Sequence, residues 1–129
     1  MPLISALQDI AAADAVGVGT FDLVGAAYSA TLSGNLTVTV KHPMILKLDP
    51  GGASRDVTLE AEAGCPGRVR WIVNAADAGG ENLVVKNDGG STVATINQNE
   101  SGIFFCDADA ADDSNSGWDL MGLITIAMG

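Results

Sequence analysis

Two five-residue apolar runs, Asn82 to Lys86 and Thr92 to Ile96, flank the tetrapeptide Asn87-Asp88-Gly89-Gly90, and nothing else in the chain narrows its fold so sharply. Asn, Asp and Gly tolerate the positive φ that a tight reversal requires, so this stretch predicts a β-hairpin. The same grammar recurs upstream. Asn35 to Val40 alternates strictly, with Leu36, Val38 and Val40 on one face and Thr37 and Thr39 on the other. Pro43 stops it. Met44 to Leu48 is a second run, closed by the turn residues Asp49-Pro50-Gly51-Gly52, and Asp56 to Leu59 is a third.

Gly64-Cys65-Pro66-Gly67 precedes Arg68 to Asn74, in which Val69, Trp71 and Val73 alternate with Arg68, Arg70 and Ile72. Gly102 to Cys106 is a further apolar strand. After the acidic stretch 107–117 come Trp118 to Met121 and a last run, Leu123 to Met128. No strand alternates with a long helical pattern, so a parallel α/β architecture is not expected. Eight to nine short strands with regular turns point to a β-sandwich, jelly-roll or small barrel. Period-2 phasing places Leu36, Val38, Val57, Leu59, Val69, Trp71, Val73, Leu83, Val85, Ile96, Phe104 and Leu120 in the core.

The chain has 129 residues, room for one domain. Hydrophobic residues make up 47% but aromatics only 5%, so the core is expected to be aliphatic. Residues 1–28 differ from the rest: they contain no Lys or Arg and many Ala and Gly. Leu3, Ile4, Leu7 and Ile10 have helix-compatible spacing, but Gly17, Gly19 and Gly25 interrupt anything longer. This stretch reads as an N-terminal arm preceding a domain at 29–129, an ordinary first strand and loop being the alternative. Leu3, Ile4, Leu7, Ile10, Phe21 and Leu23 are too many apolar side chains for a free tail. They are therefore the expected interface with a neighbouring subunit or another docking surface, ordering when they dock.

Sixteen acidic residues against six basic ones give a net charge of −10. Such a surface repels phosphate backbones and anionic headgroups, which argues against nucleic-acid and membrane partners. Neither a signal-peptide pattern at Met1 to Ala15 nor a membrane-length apolar run is present, so synthesis in the cytoplasm is expected. Cys65 and Cys106 are read as small buried hydrophobes, with no disulfide expected between them.

No residue set spells out catalysis. The single histidine, His42, beside Pro43 at a strand end, reads as a loop residue rather than a zinc ligand or triad base. The acidic run 107–119 could gather oxygens around calcium, but it lacks the central Gly and terminal Glu of an EF-hand loop and reads as a solvated loop. Glu60 and Glu62 share a strand face and read as exposed edge charge. The Gly pairs at 51–52, 79–80 and 89–90 lie in turns with no Lys-Ser/Thr behind them, so no phosphate loop is expected. Trp71 reads as core by its phase with Val69 and Val73; Trp118 is open to either assignment. The expectation is of no enzyme, no cofactor and no metal.

From Met44 to Met121, about three fifths of the chain, the order of features resembles tailed-bacteriophage head-decoration (cement) and head-fibre proteins. The residues concerned are Leu48-Asp49-Pro50-Gly51-Gly52 leading to Val57-Thr58-Leu59, then Ile72-Val73-Asn74, and the strands Leu83 to Lys86 and Val93 to Ile96. Ile103-Phe104-Phe105-Cys106-Asp107 follows, ahead of Trp118. The resemblance implies an antiparallel, jelly-roll-like β-sandwich on the capsid exterior that clamps major capsid subunits. It also implies a homo-oligomer, with a trimer favoured over a dimer. A head- or tail-fibre domain binding a host receptor or glycan is the alternative.

Overall fold

A computed structural model of the chain describes residues 27–107 and 117–127. The expected interface residues Leu3, Ile4, Leu7, Ile10, Phe21 and Leu23, and most of the acidic run at 107–119, lie outside these described residues.

The described residues form an all-β fold of nine strands. They are β1 (Tyr28–Thr31), β2 (Leu36–Thr37), β3 (Ile45–Asp49), β4 (Arg55–Thr58), β5 (Val69–Asn74), β6 (Leu83–Lys86), β7 (Thr92–Ile96), β8 (Glu100–Cys106) and β9 (Trp118–Thr125). One sheet runs β1-β3-β5-β8-β9 and the other β2-β4-β6-β7. Leu46, Leu48, Ile72 and Phe104 of the first sheet share one core with Val57, Leu83, Val85 and Ile96 of the second.

The sheets are mixed rather than antiparallel. From β1 to β6 the chain changes sheet at every step, and each strand pairs in parallel with the one two places before it. The path is therefore a flattened coil, in which turn residues such as Asp49-Pro50-Gly51-Gly52 carry the chain across to the other sheet. Only β6–β7, β5–β8 and β8–β9 pair antiparallel, the first being the hairpin signalled at Asn87 to Gly90.

Registry makes inward columns. In the four-stranded sheet Leu36, Val57, Val85 and Ala94 stand side by side. In the five-stranded sheet Tyr28, Leu46, Ile72 and Gly102 do the same. Gly102 is required there, because a Cβ would lie 2.9 Å from a ring carbon of Phe104, which folds back over it. Burying Phe104 in that gap fills the middle of the core.

Val38, Val57, Leu59, Leu83, Val85, Ile96 and Phe104 are buried as their phasing predicts, and Leu36 packs at the core's margin. The phase of β5 is reversed. Arg70, Ile72 and Asn74 point inward, while Val69, Trp71 and Val73 face outward and are half-buried. Apolarity alone does not set the phase here, because both polar residues find complete sets of partners inside. The Asn74 amide donates to the Glu81 and Ile96 carbonyls, and its oxygen accepts the Ala76 N–H. Leu120 is 37% exposed rather than buried. It lies beside a register shift at Ile103/Phe104, on the outermost strand of the wider sheet. Trp118 is fully buried.

Candidate functional site: an apolar outer sheet face

The outer surfaces of the two sheets differ in kind. On the four-stranded sheet Asp56, Val84 and Thr95 form one outward row, and Thr58, Lys86 and Thr92 the next. Lys86 Nζ donates to Asp56 Oδ2 at 2.8 Å, on a surface suited to water.

On the five-stranded sheet Ile45, Trp71 and Ile103 make one outward row, Val69 and Phe105 a second, and Val73 and Ile124 lie across Ser101 in a third. Lys47 enters this third row beside Val73. Six of these seven apolar side chains are half-buried and Ile124 is 41% exposed. The Trp71 indole N–H donates to Ser101 Oγ at 3.0 Å, which ties the ring to its own sheet. Its polar atom is thereby occupied, and the ring offers apolar surface.

This face reaches β9 at Ile124, while Leu120 and Leu123, in line with the inward Phe104 and Gly102, and Met121 at the register shift are exposed along the same sheet edge. β9 is an edge strand whose only charged residue is Asp119. Edges normally carry Lys, Pro or bulky charge to prevent pairing with another chain, and from Leu120 to Thr125 this one carries none. The phase of β5 concealed the face in the sequence. Its signal there was that 103–105 is apolar in both phases and that Ile72 stands opposite the apolar phase of Val69, Trp71 and Val73, a pattern of strands covered on both faces.

One end of the sandwich is held by ionised side chains. Glu60 is buried, not an exposed edge charge, because Arg70 reaches it from inside the sheet. Arg70 Nη2 donates to Glu60 Oε2 at 2.6 Å and Nε to Oε1 at 3.1 Å; Arg68 adds a contact at 3.1 Å. Burial pushes the Glu60 carboxyl up, but the hydrogen bond and charge of Arg70, with smaller help from the backbone and Arg68, outweigh it. Its pKa therefore lies below the ordinary 4.5. The Trp118 indole donates to the Glu60 carbonyl at 2.8 Å. Cys65 and Cys106, widely separated in sequence, meet beside this group with their sulfurs 3.5 Å apart.

His42 closes the 39–42 turn, its N–H donating to the Thr39 carbonyl at 3.0 Å. Its Nδ1 accepts the Thr39 N–H at 3.0 Å, and its ring meets Tyr28 edge-on at 4.8 Å between centroids. At the β3–β4 crossing, Asp49, Asp77 and Glu81 bring carboxylate oxygens within 4.8 Å of one another. Asp49 Oδ1 accepts from Gly51 N–H and Glu81 Oε2 from Gly52 N–H, so Asp49 and Glu81 brace the turn. They are also the described residues best placed to meet a hard cation, though calcium's six to eight oxygens would come largely from water.

No protein-family model matches the chain, and no curated protein is similar to it.

Proposed function

We propose that this chain is a structural virion protein, a decoration (cement) protein that binds the outside of a bacteriophage capsid and stabilises contacts between major capsid subunits. The observation that carries the proposal is the asymmetry of the two sheets: one outer face is built for water, the other for contact. A broad surface of Ile, Val, Trp and Phe with few charges is the composition of an interface core. The ordered likeness to decoration proteins between Met44 and Met121 supplies the partner.

In this proposal the five-stranded face meets the shell. The β9 edge from Leu120 to Thr125 and the apolar arm residues Leu3, Ile4, Leu7, Ile10, Phe21 and Leu23 join neighbouring copies, as a trimer in preference to a dimer. Of the jelly-roll-like layout, the proposal keeps two sheets around one core; the parallel pairings give the first six strands a coiled path instead. It assigns no enzymatic activity, no cofactor and no metal. Synthesis is in the host cytoplasm and the final location is the capsid exterior.

A fibre domain recognising a glycan is less well supported. Sugar platforms present aromatic rings with free polar groups at their rim, and Trp71 has already spent its N–H on Ser101. The flanking Val69, Val73 and Ile103 offer a sugar hydroxyl nothing.

The test is to purify heads of the phage whose genome encodes this chain and measure copies per major capsid subunit. Copies in fixed proportion across the whole shell are expected. Absence from heads overturns the proposal, and a small number confined to vertices favours the fibre alternative.

A further inference from the structure

We infer that Cys65 and Cys106 are a built-in thiol pair that closes to an intramolecular disulfide in oxidising surroundings and latches one end of the sandwich. The proposal is independent of which partner the outer face binds.

Backbone geometry already brings the two residues together. Gly67 N–H donates to the Cys106 carbonyl at 2.6 Å, Cys106 N–H to the Arg68 carbonyl at 2.9 Å, and Arg68 N–H to the Cys65 carbonyl at 3.0 Å. The turn carrying Cys65 is thus stitched to the end of β8. The sulfurs, 3.5 Å apart, need to close by about 1.5 Å to reach bonding distance. Trp118, paired with Cys106 across β8–β9, covers the site.

Both thiols are almost wholly buried, at 2% and 0% exposure. An oxidant therefore gains access when the 64–67 turn opens. That turn is flanked by glycines, and Gly67 has φ 81°. Burial foremost, with Cys106 and the charge of Glu60 adding to it, pushes the Cys65 thiol up to about 12, so at neutral pH the folded pair oxidises slowly.

The chemistry is thiol–disulfide exchange with a small-molecule disulfide such as oxidised glutathione. Cys65, as thiolate, attacks one sulfur of that reagent, forming a mixed disulfide and releasing one small thiolate, which takes up the Cys65 proton. The Cys106 sulfur then attacks Cys65 Sγ and expels the second small thiolate, which takes up the Cys106 proton. Two protein thiols are oxidised to one disulfide, and one small disulfide is reduced to two thiols. The new bond ties the turn before β5 to the end of β8, and removing that freedom from the unfolded chain raises stability.

The experiment incubates the reduced full chain with excess oxidised glutathione under native conditions. Intact mass, thiol content after denaturation, a peptide map and thermal unfolding are then read. Expected are the loss of two hydrogens, a Cys65–Cys106 linked peptide in a monomeric chain, and a Tm higher by on the order of 10 °C. Cys65→Ser and Cys106→Ser should show no such oxidant-dependent rise. Persistent glutathione adducts, disulfide-linked dimers or retention of both thiols would overturn the inference. A bridge that leaves Tm unchanged would overturn the latch.

Discussion

Arg70 and Glu60 hold each other in a fork, Nη2 to Oε2 at 2.6 Å and Nε to Oε1 at 3.1 Å, inside the sheet that builds the apolar face. The other three guanidinium N–H bonds go to the carbonyls of Thr39, His42 and Pro43, so all five donors are used. One side chain thereby fastens the 39–43 loop to the body and turns Val69 and Trp71 outward.

Arg70→Lys should destabilise the fold by about 3 kcal/mol, because an ammonium cannot reproduce the planar fork and leaves Glu60 buried and underbonded. Arg70→Met should cost at least as much, and Glu60→Gln with Arg70→Met together less than the sum of the two single changes. Urea unfolding of the four proteins closes this cycle; strict additivity would show that the pair is not coupled.

The same pair gives a pH dependence. The folded pKa of Glu60 lies below the ordinary 4.5, so its stabilisation is fully present above that value and is lost as pH falls through the folded pKa. The stability gap between wild type and Glu60→Gln should therefore be constant near neutrality and narrow below about pH 4.5. A gap that widens on acidification would contradict the depressed pKa.

Trp71→Asp and Phe105→Asp place a charge on the outward face, where neither side chain is part of the common core. Each should weaken binding to stripped heads by on the order of 30-fold or more, as central aromatic anchors do. Thr95→Asp on the opposite sheet should change binding little. Equal effects on both faces would remove the distinction on which the docking surface rests.

Met121→Lys and Ile124→Lys insert the charge that β9 lacks from Leu120 to Thr125. Under the proposed assembly they should shift the protein toward monomer in sedimentation while leaving its circular dichroism unchanged. An unaltered oligomeric state would exclude this edge from self-association.

Gly51→Ala and Gly52→Ala separate two causes of strain in one turn. Both glycines have positive φ, 74° and 94°, but a Cβ on Gly51 also collides with the Leu32 carbonyl, while around Gly52 there is open space. Gly51→Ala should cost about 2 kcal/mol or more and Gly52→Ala about 1 kcal/mol. Equal costs would mean that the collision relaxes away.

The positions of β3 to β8, the hairpin at Asn87 to Gly90 and the inward phase of β4, β6 and β7 follow from the sequence alone, whereas β1, the shortness of β2 and the continuity of β9 do not. Local alternation and turn chemistry carry that information without reference to the rest of the chain. Partner choice between strands was decided only in three dimensions. Asp49-Pro50-Gly51-Gly52 reverses the chain in either case, and only the facing sheet makes the next strand cross over instead of pairing. The phase of β5 was decided there too, since Arg70 and Asn74 are tolerable inside only because Glu60 and several distant carbonyls converge on them. The meeting of Cys65 with Cys106 has the same origin. Nothing within a few residues of either one encodes it, because the contact exists only once β5 and β8 have paired.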